Sequence, residues 1–318
     1  MRNSKIAIII PYYNAGKQIV DVISQIPSFI HTVVIINDKS PDVFPEKKIL
    51  ENLNNQVKIV YLNNDTNIGV GGATIKGFLY AIDNDFQIVI KVDADNQMDL
   101  KYLPDLIEPL QKGKSQMAKG NRFRDINALS KMPFIRRIGN LVLSFITKMA
   151  TGYWHNFDPT NGYFAVHVNT LKKINFNNLA NRYFFETSLL SEMYFTGAKI
   201  KDISMPAIYA DEKSQMKLWK IPFEFSFKLM KLFVKRIIKQ YFLYDFNIGS
   251  VYLFFGLPLF FFGIIYGIYN WVYYYTKQIL APTGTIMIIT LSIILGFQML
   301  LQAIQFDISQ APKVNEEN

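Results

Sequence analysis

The stretch Ile88–Asp99, IVIKVDADNQMD, sets a short apolar run against a cluster of carboxylates and amides: Asp93, Asp95, Asn96, Gln97 and Asp99. The apolar part reads as a buried strand, because a run of β-branched residues bounded by polar ones suits a sheet covered on both faces. One residue separates Asp93 from Asp95, so their side chains share a face if the extended geometry persists. A lone D-x-D at a strand end is ordinarily a pair of solvated acids, and its company decides whether it is more.

Upstream the same rhythm recurs. Ile6–Ile10 is a β-branched run ending at Pro11, followed by a polar-apolar helix over about Gly16–Ile26. TVVIIN forms a second buried strand ending at Asp38, and VKIVYLN a third. After the loop NDTNIG, Gly71–Asn84 reads as a helix leading into the strand Ile88–Val92. Strands alternating with helices imply an α/β domain, a mostly parallel sheet with helices on both faces. Ligands bind such sheets beyond the carboxyl ends of the strands, where Tyr13, Asn14, Asp38, Asp93 and Asp95 fall. The first strand runs into PYYNAGKQ, which is neither a dinucleotide fingerprint nor a P-loop. Glycines come later, in NIGVGGATIKG. There they serve either a tight turn or close approach to a phosphate, and the second reading makes Gly71 a candidate binding residue.

Half of the 318 residues are hydrophobic and 15% aromatic, and the surplus is local: from Phe246 to Phe306 only Lys277 is charged. The runs FNIGSVYLFFGLPLFFFGIIYGIYNWVYYYT and GTIMIITLSIILGFQMLLQAIQF each reach the roughly 20 residues that cross a hydrocarbon core. The short link Lys277–Pro282 makes them a helical hairpin, the alternative being a buried core hairpin. Asn270–Tyr275 is an aromatic cluster suited to a membrane interface. Gly256 and Pro258 are tolerated in membrane helices. The net charge of +9 also has an address, since eight Lys and Arg residues face one acid, Glu224, between Lys213 and Lys239. Interleaved with aromatic and aliphatic residues, they suit amphipathic helices on an anionic membrane rather than a nucleic-acid surface. The positive-inside rule puts this segment, the amino-terminal domain and the carboxyl tail in the cytoplasm. The expected organisation is an α/β domain over 1–210, basic interfacial helices over 211–245, two membrane helices within 246–306 (about 249–275 and 283–305) and a tail over 307–318.

The absence of cysteine excludes a disulfide framework and thiolate chemistry. The apolar run after Met1 is too short for a signal-peptide core. His31, His155 and His167 show no paired spacing and read as structural or exposed; no Ser-His-Asp order and no HExxH motif is present.

The ordered series IAIIIPYYN, VVIINDKSPD, NIGVGGATIKGFLYA, KVDADNQMD, KGNRF, DPTNGYFAV and YFFETSLLSEM resembles the family-two glycosyltransferases of GT-A fold, from about Ile6 to Pro206. Within them it is similar to the polyprenyl-phosphate glycosyltransferase branch, dolichyl-phosphate mannosyltransferase among it. The resemblance implies that Pro11, Tyr13 and Asn14 line a nucleotide pocket, that Asp38 binds base or ribose, and that Asp93 holds the nucleoside. Asp95 and Gln97, hard oxygen ligands, would place Mg²⁺ or Mn²⁺ on the donor diphosphate. Arg122 would meet the diphosphate or the acceptor, and Asp158 and Glu186 fall in acceptor-side motifs. Glu186 also opens an expected amphipathic helix, where the dipole alone favours an acid. Two departures stand out: Ala15 where relatives often carry an acid, and ADEKSQMKL where they carry arginine followed by G-x-S-K. Lys213, Ser214, Arg236, Arg136, Arg137 and Asn140 are therefore the candidates for a lipid phosphate.

The implied reaction is inverting transfer from a nucleotide-diphosphate sugar to a polyprenyl phosphate at the membrane, by a monomer or homo-oligomer. Transfer to a hydroxyl of a lipid-linked or cell-surface saccharide is the second reading. Metal-dependent nucleotidyl transfer and a non-catalytic, membrane-anchored binding module are the others. The joint presence of Asp38, Asp93, Asp95, Gln97 and Arg122 argues against the last.

Overall fold

Ile6, Ile8 and Ile10 face one side of strand β1 (Ile6–Tyr12) and Ala7 and Ile9 the other, and this alternation founds two separate cores. The structure, a computed structural model, describes residues 5–52, 57–122, 134–206 and 221–314. Among them seven strands form one mixed sheet in the order β3-β2-β1-β4-β6-β5-β7. The others are β2 (Thr32–Asn37), β3 (Lys58–Asn63), β4 (Ile88–Lys91), β5 (Met117–Asn121), β6 (Phe164–His167) and β7 (Ile200–Ser204). Only the pairings of β6 with β4 and β5 are antiparallel.

Helices α1 (Gln18–Ser24), α2 (Glu46–Asn52) and α4 (Leu103–Gln111) cover the first face through Ile19, Val22, Ile49, Leu103 and Leu106. The second face is covered by α3 (Val70–Asp83) through Ala73 and Phe78, and by α6 (Phe185–Tyr194) through Phe185, Leu189 and Met193. A further helix, α5 (Phe134–Thr151), lies between β5 and β6 in the chain. The first strand runs on through Pro11, where the sequence suggested it would stop. Val92 N–H donates to Ile9 O, so Ile9 and, two residues on, Pro11 turn their backbone groups toward β4, which has ended at Lys91. The N–H that proline lacks is not needed there. The α6 helix is not amphipathic: every residue from Thr187 to Tyr194 is buried.

The chain divides into two units, the boundary falling between Leu232 and Phe233 inside α7 (Ile221–Ile238). The second unit contains α8 (Ile248–Lys277) and α9 (Thr283–Gln310), both long and apolar enough to cross a membrane. An Asn247–Ser250 capping box starts α8, and α9 continues to Gln310, past the end near 305 that composition suggested. The hairpin is closed by small residues. A Cβ on Gly296 would lie 2.5 Å from the Phe260 amide nitrogen, and one on Gly263 2.7 Å from the Ile293 side chain. Meanwhile Phe254, Ile265, Trp271 and Leu291 are more than half exposed. Small inside and large apolar outside suits two candidate membrane spans.

Candidate active site

The site is built by the chain as it leaves the carboxyl ends of β1, β2 and β4. Asp38, just past β2 and 2% exposed, accepts hydrogen bonds from Asn64 Nδ2 (2.8 Å), Ile68 N (2.9 Å) and Gly69 N (2.7 Å). Its carboxylate thus pins the loop between β3 and α3, leaving its second oxygen, Oδ2, with Gly69 alone among these three. Gly69 has φ +92°, and a Cβ there would sit 2.5 Å from Asn181 O. Gly69→Ala is therefore expected to cost about 1–3 kcal/mol in strain and to weaken nucleotide binding, read by thermal unfolding with and without added nucleoside diphosphate.

Pro11, Tyr13, Asp38, Gly69, Asp93 and Asp95 line one cavity of about 450 Å³. Gly71 lies outside it, packed so that a Cβ would meet Ala180 O at 2.3 Å. The glycine at the cavity wall is Gly69. Asn14 is also off the wall; at φ +53° it donates its N–H to Ser40 Oγ (2.7 Å). The same corner is tied by Asp42, which sequence reasoning missed. Asp42 accepts from Tyr12 Oη (2.7 Å), Gly16 N (2.8 Å) and Ser40 Oγ. Burial pushes its carboxyl up, but these donors outweigh that and hold it below the usual value.

Beyond Lys91 the chain leaves strand geometry and turns, with Asn96 at φ +59°. Asp95 Oδ1 accepts the Gln97 N–H (3.1 Å), and Asp99 caps the short turn Leu100–Tyr102 by accepting the Lys101 N–H (3.0 Å). Asn96 accepts from Gln25 Nε2 (3.1 Å). A turn, rather than a persisting strand, sets the two carboxylates. Asp93 and Asp95 also line a second cavity of about 130 Å³, together with Gln97, Arg122, Asn161 and Gly162.

Arg122 grips Asp158 in a fork, Nε to Oδ2 at 2.7 Å and Nη2 to Oδ1 at 2.8 Å, while its own N–H donates to Oδ2 at 3.1 Å. Asp158 is fully buried at φ +52°. Its turn is strapped by the buried Lys119, whose Nζ donates to Phe157 O and Asp158 O, each at 2.6 Å. Burial raises the Asp158 carboxyl, but Arg122 and Lys119 overcome this and leave it lowered. Burial depresses the Lys119 ammonium despite Asp202 and Asp158 nearby. Asp202 completes the brace, accepting from Asn156 Nδ2 (2.9 Å), Phe157 N (2.7 Å) and Asn121 Nδ2 (3.1 Å). Asp202 lies in no motif and Lys119, though it opens KGNRF, was given no role there, since both roles exist only once β5 and β7 pair.

Glu186 stands in the first turn of α6, 3.5 Å from the buried Lys91 Nζ, which also contacts Asp93 Oδ1 at 2.6 Å. Burial raises the Glu186 carboxyl in spite of Lys91. Burial lowers the Lys91 ammonium, but the two carboxylates outweigh it and the net shift is upward. His31 and His167 are structural, bonded to Ile6 N (3.3 Å) and Leu110 O (3.0 Å).

Of the candidates for a lipid phosphate, Lys213 and Ser214 lie outside the described residues, as do the side chains of Arg136, Arg137 and Asn140. Arg236 is corrected: its guanidinium is 99% buried in the second unit and forks onto Asp307 at 2.7 and 2.8 Å, so it faces no lipid phosphate. The attraction of a hidden carboxylate on a neighbouring helix was invisible in sequence, where Arg236 is one of a run of cations.

A cavity of about 450 Å³ at the carboxyl ends of a mixed sheet, sharing Asp93 and Asp95 of a D-x-D turn with a smaller polar cavity, is the arrangement expected of a GT-A-type transferase. The model of the family "Glycosyl transferase family 2" matches residues 7–174, more than half of the chain, and the chain belongs to this family; it is a glycosyltransferase. Its relatives include a UDP-N-acetylglucosamine–dolichyl-phosphate N-acetylglucosaminyltransferase of Methanococcus voltae, 29% identical over 58% of this chain and 77% of the relative. A dolichol-phosphate mannosyltransferase of Pyrococcus furiosus is 26% identical over 71% of this chain and 64% of its own. Among solved structures, glucosyl-3-phosphoglycerate synthase from Mycobacterium tuberculosis, held with Mn²⁺, UDP and glucosyl-3-phosphoglycerate, superposes with a TM-score of 0.53. It is 16% identical, over 73% of this chain and 80% of that one.

Proposed function

We propose that this chain transfers a sugar, with inversion and metal dependence, from a nucleoside-diphosphate donor to a polyprenyl phosphate at the cytoplasmic membrane face. The observation that carries the reading is the meeting of two cavities at Asp93 and Asp95, in a chain that also has two helices fit to span a membrane. The larger cavity takes the nucleoside, with Pro11 and Tyr13 as walls, Asp93 as a hydroxyl or base acceptor and the second oxygen of Asp38 facing the ribose. The smaller takes the acceptor phosphate, with Arg122 as its cation.

The donor set fits a divalent ion shared with substrate. Asp95 and Gln97 offer hard oxygen, and no group of three or more His, Cys, Asp or Glu gathers among the described residues. Mg²⁺ and Mn²⁺ accept few protein ligands and take phosphate oxygens for the rest. Bound there, the ion would supply Lewis-acid stabilisation of the leaving diphosphate. Arg122, fixed in orientation by its fork on Asp158, holds the incoming acceptor phosphate beside that ion.

The choice of acceptor follows from the carboxylates. Transfer to a sugar hydroxyl needs a base, whereas a phosphate monoester, with a second pKa near 6, is already an anion at neutral pH. Asp158 is committed to Arg122 and held at low basicity, and Glu186, although burial raises its carboxyl, is held on the buried Lys91 ammonium. A phosphate acceptor, which needs neither, fits best. The names of the two relatives above point to acceptors of this kind.

Membranes carrying the protein, supplied with Mn²⁺ or Mg²⁺ and labelled nucleotide sugars, are expected to form an organic-extractable product that releases its sugar in mild acid. An acid-stable product would redirect the assignment to a hydroxyl acceptor, and release of pyrophosphate from a nucleoside triphosphate to nucleotidyl transfer.

A further inference from the structure

Lys91 stands where the sheet asks for an apolar side chain. Val89, two residues before it on the same face of β4, belongs to the second core, and Phe164, its partner across the ladder, does too. The ammonium is nonetheless there, 1% exposed, 2.6 Å from Asp93 Oδ1 and 3.5 Å from Glu186 Oε1. Room for it is made by Gly162, on which a Cβ would lie 2.5 Å from Lys91 Nζ, 3.2 Å from Asp93 Oδ2 and 3.3 Å from Glu186 Oε1. Four segments meet at this point: the end of β4, the D-x-D turn, the first turn of α6 and the DPTNG loop. Taking a lysine out of water is costly, and buried ion pairs can commonly be replaced by apolar side chains of similar volume with no loss of stability. Stability alone does not account for a lysine here.

We propose that Lys91 is a positioning residue for sugar transfer: its ammonium fixes the orientation of the Asp93 carboxylate at the junction of the two cavities and links it to Glu186 on α6. The role of Asp93 in holding the donor rests on the function proposed above. Asp93 is about one-third exposed and lines both cavities, so without an anchor its side chain has several rotamers open to it. One oxygen bound to Lys91 removes that freedom before the donor arrives, and such support behind a binding group typically carries large effects on affinity.

The test uses the full-length protein in detergent, with UDP and GDP, each with Mn²⁺, as probes. Lys91→Met keeps the volume but leaves two carboxylates facing each other, so it should unfold several degrees lower. Lys91→Met combined with Glu186→Gln has the net charge of the unaltered cluster and should recover the lost stability. If the double variant melts no higher than Lys91→Met, the ion cluster is refuted. The positioning role is read from the recovered double variant, compared with Glu186→Gln alone. It should bind the nucleotide about 10- to 100-fold more weakly, and its KM for the donor should rise more than its kcat falls. Equal nucleotide affinity in the two would overturn the proposal and leave Lys91 a charge-balancing core residue. If the unaltered protein binds neither nucleotide, the donor reading of the site fails and the positioning role with it, while the unfolding series still decides the cluster.

Discussion

Asp95→Ala is expected to abolish most sugar transfer, lowering kcat by about 10²- to 10³-fold, the loss that follows when several kcal/mol of charge stabilisation leave the transition state. The fold should change little, because Asp95 is only partly buried and lines cavities rather than core. The comparison is therefore clean: transfer of labelled sugar into the organic phase should collapse while the thermal midpoint stays within a degree or two. Gln97→Ala should cost less, since a neutral amide is the weaker ligand for a hard cation. The decisive addition is a titration of Mn²⁺ against nucleoside diphosphate binding. In the unaltered protein binding should strengthen with the ion, and in Asp95→Ala that dependence should disappear. Unchanged transfer by Asp95→Ala would remove the metal assignment altogether.

Asp307→Ala strips the partner from a guanidinium that is 99% buried, and breaking such a pair from one side costs about 3–5 kcal/mol. Tyr241 Oη also donates to Asp307, at 2.6 Å, so the variant leaves a buried hydroxyl without its acceptor as well. Thermal unfolding in detergent should show a large drop for Asp307→Ala. Arg236→Met with Asp307→Leu should recover most of it, because replacing both charges by apolar side chains removes the desolvation cost along with the attraction. Asp307→Asn should fall between them. If Arg236 instead served a lipid phosphate, Arg236→Met would reduce transfer and spare stability, the opposite pattern.

The first four strands were legible because strands buried on both faces favour unbroken β-branched runs, as in TVVIIN and IVIK, whereas β5, β6 and β7 were not read from the sequence. The acidic cluster was legible only through its company: carboxylates at a strand end are ordinarily solvated, and the ordered motifs around Asp93 and Asp95 gave them a role. Boundaries were harder. Pro11 looked like a stop and is not one, since the missing N–H faces a strand that has already ended, a fact about β4 rather than about β1. The helix of Glu186 looked amphipathic and is buried all round, because the sheet lies on one side and neighbouring chain on the others.

Sequence alone determined the family, the alternation of strands and helices, and the division between an α/β part and a hairpin of membrane-like composition. These depend on local pattern and ordered motifs, which the chain carries along its length. Tertiary structure decided the partnerships of charge. Asp38 serves Asn64 and the Ile68–Gly69 backbone, Arg122 grips Asp158, Arg236 turns to Asp307, and Lys91 stands between Asp93 and Glu186. Partners up to 95 positions apart, as Lys91 and Glu186 are, leave no periodic trace in sequence. A charge also finds its partner only when folding removes the water that would otherwise have satisfied both.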